Sequence, residues 1–283
     1  MASFPPDRVL ISDKIPKYFK LSPTDTYVDV FTPMERQQMI SKYQRPNLFN
    51  GGCVRMDCIV GNVCYVSPVH FYDFLCCNII GLHNRDPLAW NILEGHLLQY
   101  GDINTFEKLL NVNELPNIIG VSVLLHDIDN NYLLVARNTA VSVGSGLFAC
   151  TSSGSLDISD TAYNNPIVAC AYRELKEELN LQVELFMTGL VAPIQKLQPI
   201  ALFSGMIDGR WSEYIDSCLR APDFEKENSK ILIVPKEDLM PLVSMYTFTD
   251  AAAYHIYHEC ECTPSEWKKA VRTFVKVSDY YVN

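Results

Sequence analysis

Nothing in the sequence approaches the ~20 consecutive apolar residues that a membrane-crossing helix needs; the best stretch, residues 118–125, is far shorter. The first residues, Met1-Ala2-Ser3-Phe4-Pro5-Pro6-Asp7-Arg8, carry no charged-then-apolar export pattern. Basic residues form no run, and 23 Lys and Arg are outnumbered by 33 Asp and Glu, a formal charge of −10. A nucleic-acid surface needs a basic footprint, so neither nucleic acid nor membrane is an expected partner. Also missing are a Gly-x-Gly-x-x-Gly turn, a Walker phosphate loop and a serine-nucleophile elbow. No internal repeat or low-complexity tract is visible. An anionic ligand would therefore have to be met by a few placed cations or by metal ions.

What is present is an ordinary globular balance over 283 residues, 48% apolar and 20% charged. Ten cysteines are somewhat many, yet Cys58, Cys64, Cys76, Cys77 and Cys170 lie inside apolar runs, where a free thiol packs as a small hydrophobe. With no export pattern they read as reduced, and the protein as cytoplasmic.

Residues 1–46 are punctuated by proline, with one helix expected near 35–43. A hairpin follows, with strands at 53–60 and 63–66 joined by Gly61-Asn62. Helices are expected near 71–77, 88–99 and 104–110. The polar stretch ending at Pro116 divides an N-terminal α+β domain, 1–115, from a second domain, 116–283. The second opens on two apolar runs, 118–125 and 132–136, separated by an Asp/Asn turn: a long hairpin at the heart of a sheet. A glycine-spotted loop, 142–146, leads to 147–151 and Ser152-Ser153-Gly154-Ser155. Further strands are expected at 181–187, 199–206 and 231–234, and helices at 236–243, 250–258 and 264–274. Strands and helices that do not alternate regularly indicate an α/β (α+β) sandwich, a mixed sheet flanked by helices.

The informative segment is 165–181. Asn165 is a cap, Pro166 takes the first helical position, and Asn180 can adopt the terminating left-handed conformation. Val168, Tyr172, Leu175 and Leu179 repeat at the spacing of a buried stripe. Glu174, Glu177 and Glu178 fall on another side, with Cys170 and Ala171 beneath them. Alone, that cluster is unfavourable: like charges at i,i+4 cost ~0.2–0.5 kcal/mol, and anions in a last helical turn ~0.3–1 kcal/mol. A divalent cation would reverse both effects, and carboxylate oxygens suit Mg²⁺ or Mn²⁺. Arg173, about 100° away around the helix, is placed to steady a carboxylate or the preceding loop. A solvated acidic face is the ordinary reading of such a run, but the hairpin, small-residue loop and capped helix around it favour the metal.

The run Arg173-Glu174-Leu175-Lys176-Glu177-Glu178-Leu179-Asn180-Leu181 resembles the core of the Nudix box. The resemblance covers residues 117–245 and implies a Nudix-type fold and hydrolysis of a nucleoside diphosphate linked to another moiety, with Mg²⁺ or Mn²⁺. It implies that Glu177 and Glu178 are the principal metal ligands, supported by Glu174. Gly154 resembles the box's first glycine, which makes the Ser153 carbonyl a backbone ligand. The loop from Gly154 to Arg173 is longer than the family pattern by about five residues, the early glutamate is Asn165, and Asn180 replaces a glycine. Asp157 or Asp160 could substitute for that glutamate. Phe49-Asn50-Gly51 with Arg55, Tyr72-Asp73-Phe74-Leu75 with Asn78, and Asn180 resemble a longer branch that cleaves UDP-sugars to UMP and sugar 1-phosphate.

Arg137, at a strand end, is a candidate for meeting a phosphate. The general base stays open among the box glutamates and Glu213, Asp216, Asp223, Glu225 and Glu227 of an acidic loop at 211–230. His255, His258, Cys260 and Cys262 have zinc-binding side chains but not a standard knuckle spacing. Two functions follow: a pyrophosphohydrolase, or a Nudix-fold module that binds a nucleotide without cleaving it. The N-terminal part either covers the core and helps form a homodimer or supplies a wall of the pocket.

Overall fold

The two apolar runs become neighbouring strands of a mixed sheet. The computed structural model describes residues 3–23, 26–43, 50–141, 144–273 and 275–282. Phe49, the start of the glycine-spotted loop at 142–143 and Phe274 lie outside the described residues. The first strands are β1 (Val9–Ile11) and β2 (Tyr18–Leu21), followed by helix α1 (Pro33–Tyr43) and the hairpin β3 (Gly52–Val60) and β4 (Val63–His70). Helix α2 (Phe71–Phe74) runs into a π-helical segment, Leu75–His83, and α3 (Pro87–Leu97) and α4 (Phe106–Leu110) follow. Next come β5 (Gly120–His126), β6 (Asn131–Arg137), β7 (Phe148–Ala149), β8 (Ser152–Ser155) and helix α5 (Pro166–Leu179). The chain continues through β9 (Leu185–Pro193), β10 (Ile200–Met206), α6 (Trp211–Cys218), α7 (Phe224–Glu227) and β11 (Asn228–Pro235). It closes with α8 (Lys236–Met245), α9 (Asp250–Glu259) and α10 (Pro264–Ala270).

The large sheet runs β1-β9-β10-β5-β6-β11, with β7 paired to β6 and β8 to β5. Within this sheet, among the described residues, only β10 and β5 pair in parallel. The hairpin β5–β6 pairs just at its turn, Leu125 with Leu133 and His126 with Tyr132, then splays so that β8 and β7 insert. Alternation sends Val123, Leu125, Leu133 and Val135 to the face shared with α5, and Leu124, Leu134 and Leu232 to the face under α8 and α9. Both faces are covered, so these strands read as unbroken apolar runs. Each fully buried Leu or Val contributes about 1.5–3 kcal/mol.

A second, small sheet, β2-β4-β3, belongs to the N-terminal part. It is stitched to the large one: Ile119 N–H donates to Val54 C=O at 3.0 Å and Val54 N–H to Leu156 C=O at 3.2 Å. β1 pairs with β9 in the large sheet itself, and one apolar core runs from Leu10 through Phe74 and Leu175 to Ile231. Among the described residues no helix is long and apolar enough to cross a membrane.

Several expected elements shift. β4 extends past residue 66 because Pro68 lies beyond the pairing with β2, where its missing N–H costs no ladder bond. The expected helix at 71–77 continues in π-helical form to His83, where Asn84 N–H reaches Ile79 C=O at 2.8 Å. The strand expected at 181–187 starts at Leu185, because Leu181 is consumed in closing α5: its N–H donates to Leu175 C=O. The acidic loop is largely helical, α6 and α7, with Trp211, Ile215 and Cys218 buried at helical spacing.

Candidate functional site

Helix α5 is set at both ends. Asn165 Oδ1 accepts from Val168 N–H at 3.2 Å, and Asn180 sits at φ +53°, its amide donating to Ser217 Oγ at 2.9 Å. The buried face is not quite the expected stripe. Ile167, Cys170, Ala171, Leu175, Glu178 and Leu179 are buried, whereas Val168 and Tyr172 are half-buried. Glu178 therefore points into the protein. It is 1% exposed, accepting from Ser153 N–H at 3.2 Å and from Asn228 Nδ2 at 3.1 Å. These donors make a buried carboxylate tolerable. Burial pushes Glu178 up to about 7, against the pull of Arg137.

Glu174 lies against the backbone of β8, and only 14% of its side chain is exposed. A Cβ on Gly154 would stand 1.9 Å from the Glu174 carboxyl carbon, so the glycine is what lets this carboxylate lie there. Burial raises Glu174 to about 8; Arg173 opposes this, and the charges of Glu178 and Glu177 add to it. Arg173 both steadies carboxylates and ties down the preceding loop. Its Nη1 donates to Glu174 Oε1 at 2.8 Å and Glu177 Oε2 at 3.0 Å, while Nε and Nη2 hold Asp160 at 3.1 and 3.0 Å. Nη2 also reaches the Ser155 carbonyl at 3.1 Å. Of the two aspartates on this loop, Asp160 is the one against Arg173, and Asp157 caps the short helical turn Ile158–Ala162.

Arg137 comes to the same place. Nη1 donates to Ser153 Oγ at 2.8 Å and Nη2 to Glu227 Oε2 at 3.2 Å. Of the five acidic residues on 211–230, Glu227 is thereby joined to the cluster, while Asp223 N–H donates to the Glu177 carbonyl at 3.0 Å. Glu213 instead caps α6 through Arg210 N–H, and Asp216 and Glu225 are exposed. Asn228 has no sequence signal; it simply opens an apolar strand.

As the side chains stand, no three His, Cys, Asp or Glu among the described residues converge closely enough to hold an ion. Arg173 lies between Glu174 and Glu177, and Glu178 is turned to Ser153 and Asn228. Neither is the His255-to-Cys262 set gathered: His255 is fully buried, Nε2 3.2 Å from Ser204 Oγ and Nδ1 3.7 Å from Cys150 Sγ. The donor set nonetheless fits a hard divalent cation. Burial makes Glu174 and Glu178 costly to ionise even with Arg173 and Arg137 beside them, so a further positive charge would favour their charged forms.

Beside the cluster opens a cleft of ≈ 120 Å³. Arg137, Ser153 and Gly154 line it on the box side, with Lys196, Asp250 and, from the N-terminal part, Phe74 among its other walls.

No family model and no curated protein matches the sequence. Among solved structures, the chain is similar to DR0079 of Deinococcus radiodurans (TM-score 0.39, 13% identity, over 51% of this chain and 83% of that one). It is also similar to a MutT protein of Methanosarcina mazei Go1 (0.36, 15%, 51% and 92%). A third is the Nudix domain of Shewanella oneidensis NrtR, solved with ADP ribose (0.36, 14%, 51% and 87%).

Proposed function

We propose that the chain is a Nudix-type pyrophosphohydrolase, dependent on Mg²⁺ or Mn²⁺, acting on a nucleoside diphosphate linked to another moiety, with UDP-sugars the favoured class. The observation that carries this reading is the buried Glu178 and the largely buried Glu174, packed from helix α5 against the glycine-bearing strand β8 beside an Arg137-lined cleft.

In this reading Glu174, Glu177 and Glu178, with the Ser153 carbonyl, hold the metal. When bound, the ion supplies positive charge against the diphosphate and acidifies water. The protein's own groups do the rest. Arg173 orients Glu174 and Glu177 and fixes the loop through Asp160. Arg137 meets a phosphoryl oxygen, a role that favours a substrate whose charge grows on hydrolysis. A water oxygen bonds to one phosphorus while the bridging P–O bond breaks, so a UDP-sugar yields UMP and sugar 1-phosphate. Residues 1–115 act as a unit that walls the cleft beside a catalytic unit, 116–283. Ten free thiols fit a cytoplasmic setting.

The test is Glu177→Gln, assayed with Mg²⁺ on UDP-sugars, ADP-ribose, NAD⁺ and dinucleoside polyphosphates. Turnover is expected to vanish with the melting curve unchanged; metal-dependent activity retained in the variant would overturn the assignment. A second reading, a module that binds without cleaving, draws on Arg173 occupying both Glu174 and Glu177. Binding of a panel member by the wild-type protein without product would favour it.

A further inference from the structure

The cleft gathers cations in a protein of net charge −10. Asp250 lines it, but its charge is already met by Arg8 at 3.2 Å. Arg137 is engaged with Ser153 and Glu227. Lys196 lines the cleft too, and its ammonium makes no hydrogen bond or ion pair with any described residue. Burial, with Arg137 adding to it, lowers Lys196 to about 8 despite Asp250. A half-buried ammonium without a hydrogen-bond partner among the described residues is a cost that the fold tolerates.

The fold also builds the turn that presents it. Lys196 lies between β9 and β10, where Leu197 N–H closes onto Pro193 C=O at 2.7 Å. Leu197 takes φ +48°, a left-handed conformation that a side-chain-bearing residue rarely adopts. The turn is gripped from the N-terminal part. Asn78, fully buried in the π-helical segment, donates Nδ2 to the Lys196 carbonyl at 2.7 Å and to the Leu197 carbonyl at 3.5 Å. A strained turn clamped by a buried amide, ending in a cation that makes no hydrogen bond with a described residue and shares the charge of Asp250 with Arg8, is an anion receptor in form.

We propose that Lys196 binds a phosphoryl oxygen of the cleft's ligand and that Asn78, acting through the Lys196 carbonyl, is its positioning residue. A residue remote in sequence from the box would then set affinity for the diphosphate. The inference rests on the pyrophosphohydrolase reading only for naming the anion as a nucleoside diphosphate.

Inorganic pyrophosphate and UDP are titrated calorimetrically, in EDTA, into the wild-type protein and into Lys196→Met, Lys196→Arg, Asn78→Ala and the Lys196→Met/Asn78→Ala double variant. Lys196→Met is expected to weaken both ligands about 10- to 100-fold, the span of one charge-assisted hydrogen bond. Lys196→Arg should stay within about threefold of wild type, because the charge remains. Asn78→Ala should weaken pyrophosphate alone but add nothing in the Lys196→Met background, a coupling that a purely structural role would not produce. Equal binding by wild type and Lys196→Met, or no binding of either anion by wild type, overturns the proposal. An undiminished Asn78→Ala effect in the double variant overturns the positioning role, and the Lys196 arm stands however Asn78→Ala folds. Pyrophosphate binding that depends on Lys196 in a protein without turnover would sink the hydrolase reading and leave this one in place.

Discussion

At the scale of single residues, the site depends on one missing side chain. Gly154 leaves the space that the Glu174 carboxylate fills, and an added methyl would overlap the end of a flexible side chain rather than backbone. Gly154→Ala should therefore fold normally but push Glu174 aside, lowering kcat about 100-fold, the scale of an ångström's misplacement. Unchanged kcat together with an unchanged melting temperature would contradict the placement of Glu174 at this site. His255 gives a pH prediction unrelated to catalysis. Burial, with His258 adding, lowers it to about 3, whereas an unfolded histidine titrates near ~6.5. Below that pH the unfolded chain takes up a proton that the folded chain refuses. This group's contribution is then lost as pH falls from ~6.5 toward ~3, at up to about 1.4 kcal/mol per pH unit. Urea unfolding of wild type and His255→Gln should show their stability gap narrowing between ~pH 7 and ~pH 5; a constant gap would show that His255 titrates normally.

At the scale of elements, the box helix was legible because its chemistry is local. Asn165, Pro166 and Asn180 mark its ends with short-range signals, and Arg173 and the three glutamates lie within six residues of sequence. The stripe was harder to read. A cluster of carboxylates suggests a solvated face, and only the distant donors Ser153 and Asn228 make room for Glu178 inside. Helix α6 had a readable pattern in Trp211, Ile215 and Cys218, obscured by the two acidic residues within it, Glu213 and Asp216. The π-helical turns and the Lys196 turn had none, since both are shaped by tertiary contacts. Asn165 separates local from distant logic most cleanly. The resemblance aligns it with an acidic residue, yet here it caps α5 through Val168. Asn165→Ala is expected to cost about 1 kcal/mol in denaturant unfolding while kcat stays at the wild-type value. A selective loss of kcat would assign it to the chemistry instead.

At the scale of the whole molecule, the N-terminal residues are joined to the large sheet by more than a linker. β1 is a strand of that sheet, β3 exchanges backbone hydrogen bonds with residues 117–119 and 156, and the apolar core is continuous across both. Arg55 is the deepest of these ties. It is fully buried and ion-paired with Asp57, and its guanidinium reaches the Val112 and Leu115 carbonyls at 3.3 and 3.2 Å, just before the boundary read from sequence. Removing one partner of a buried ion pair typically costs ~3–5 kcal/mol. Arg55→Ala should thus destabilise the protein as a whole, not one half of it. Far-UV circular dichroism and tryptophan fluorescence, reporting on Trp90 in the N-terminal part and on Trp211 and Trp267 beyond it, should give coincident midpoints in wild type and variant. Two separated transitions, with only the earlier one moved by Arg55→Ala, would mean that the shared core does not couple the parts. Coupling matters for the cleft, because the amide that grips the Lys196 turn and the lysine itself come from opposite sides of that boundary.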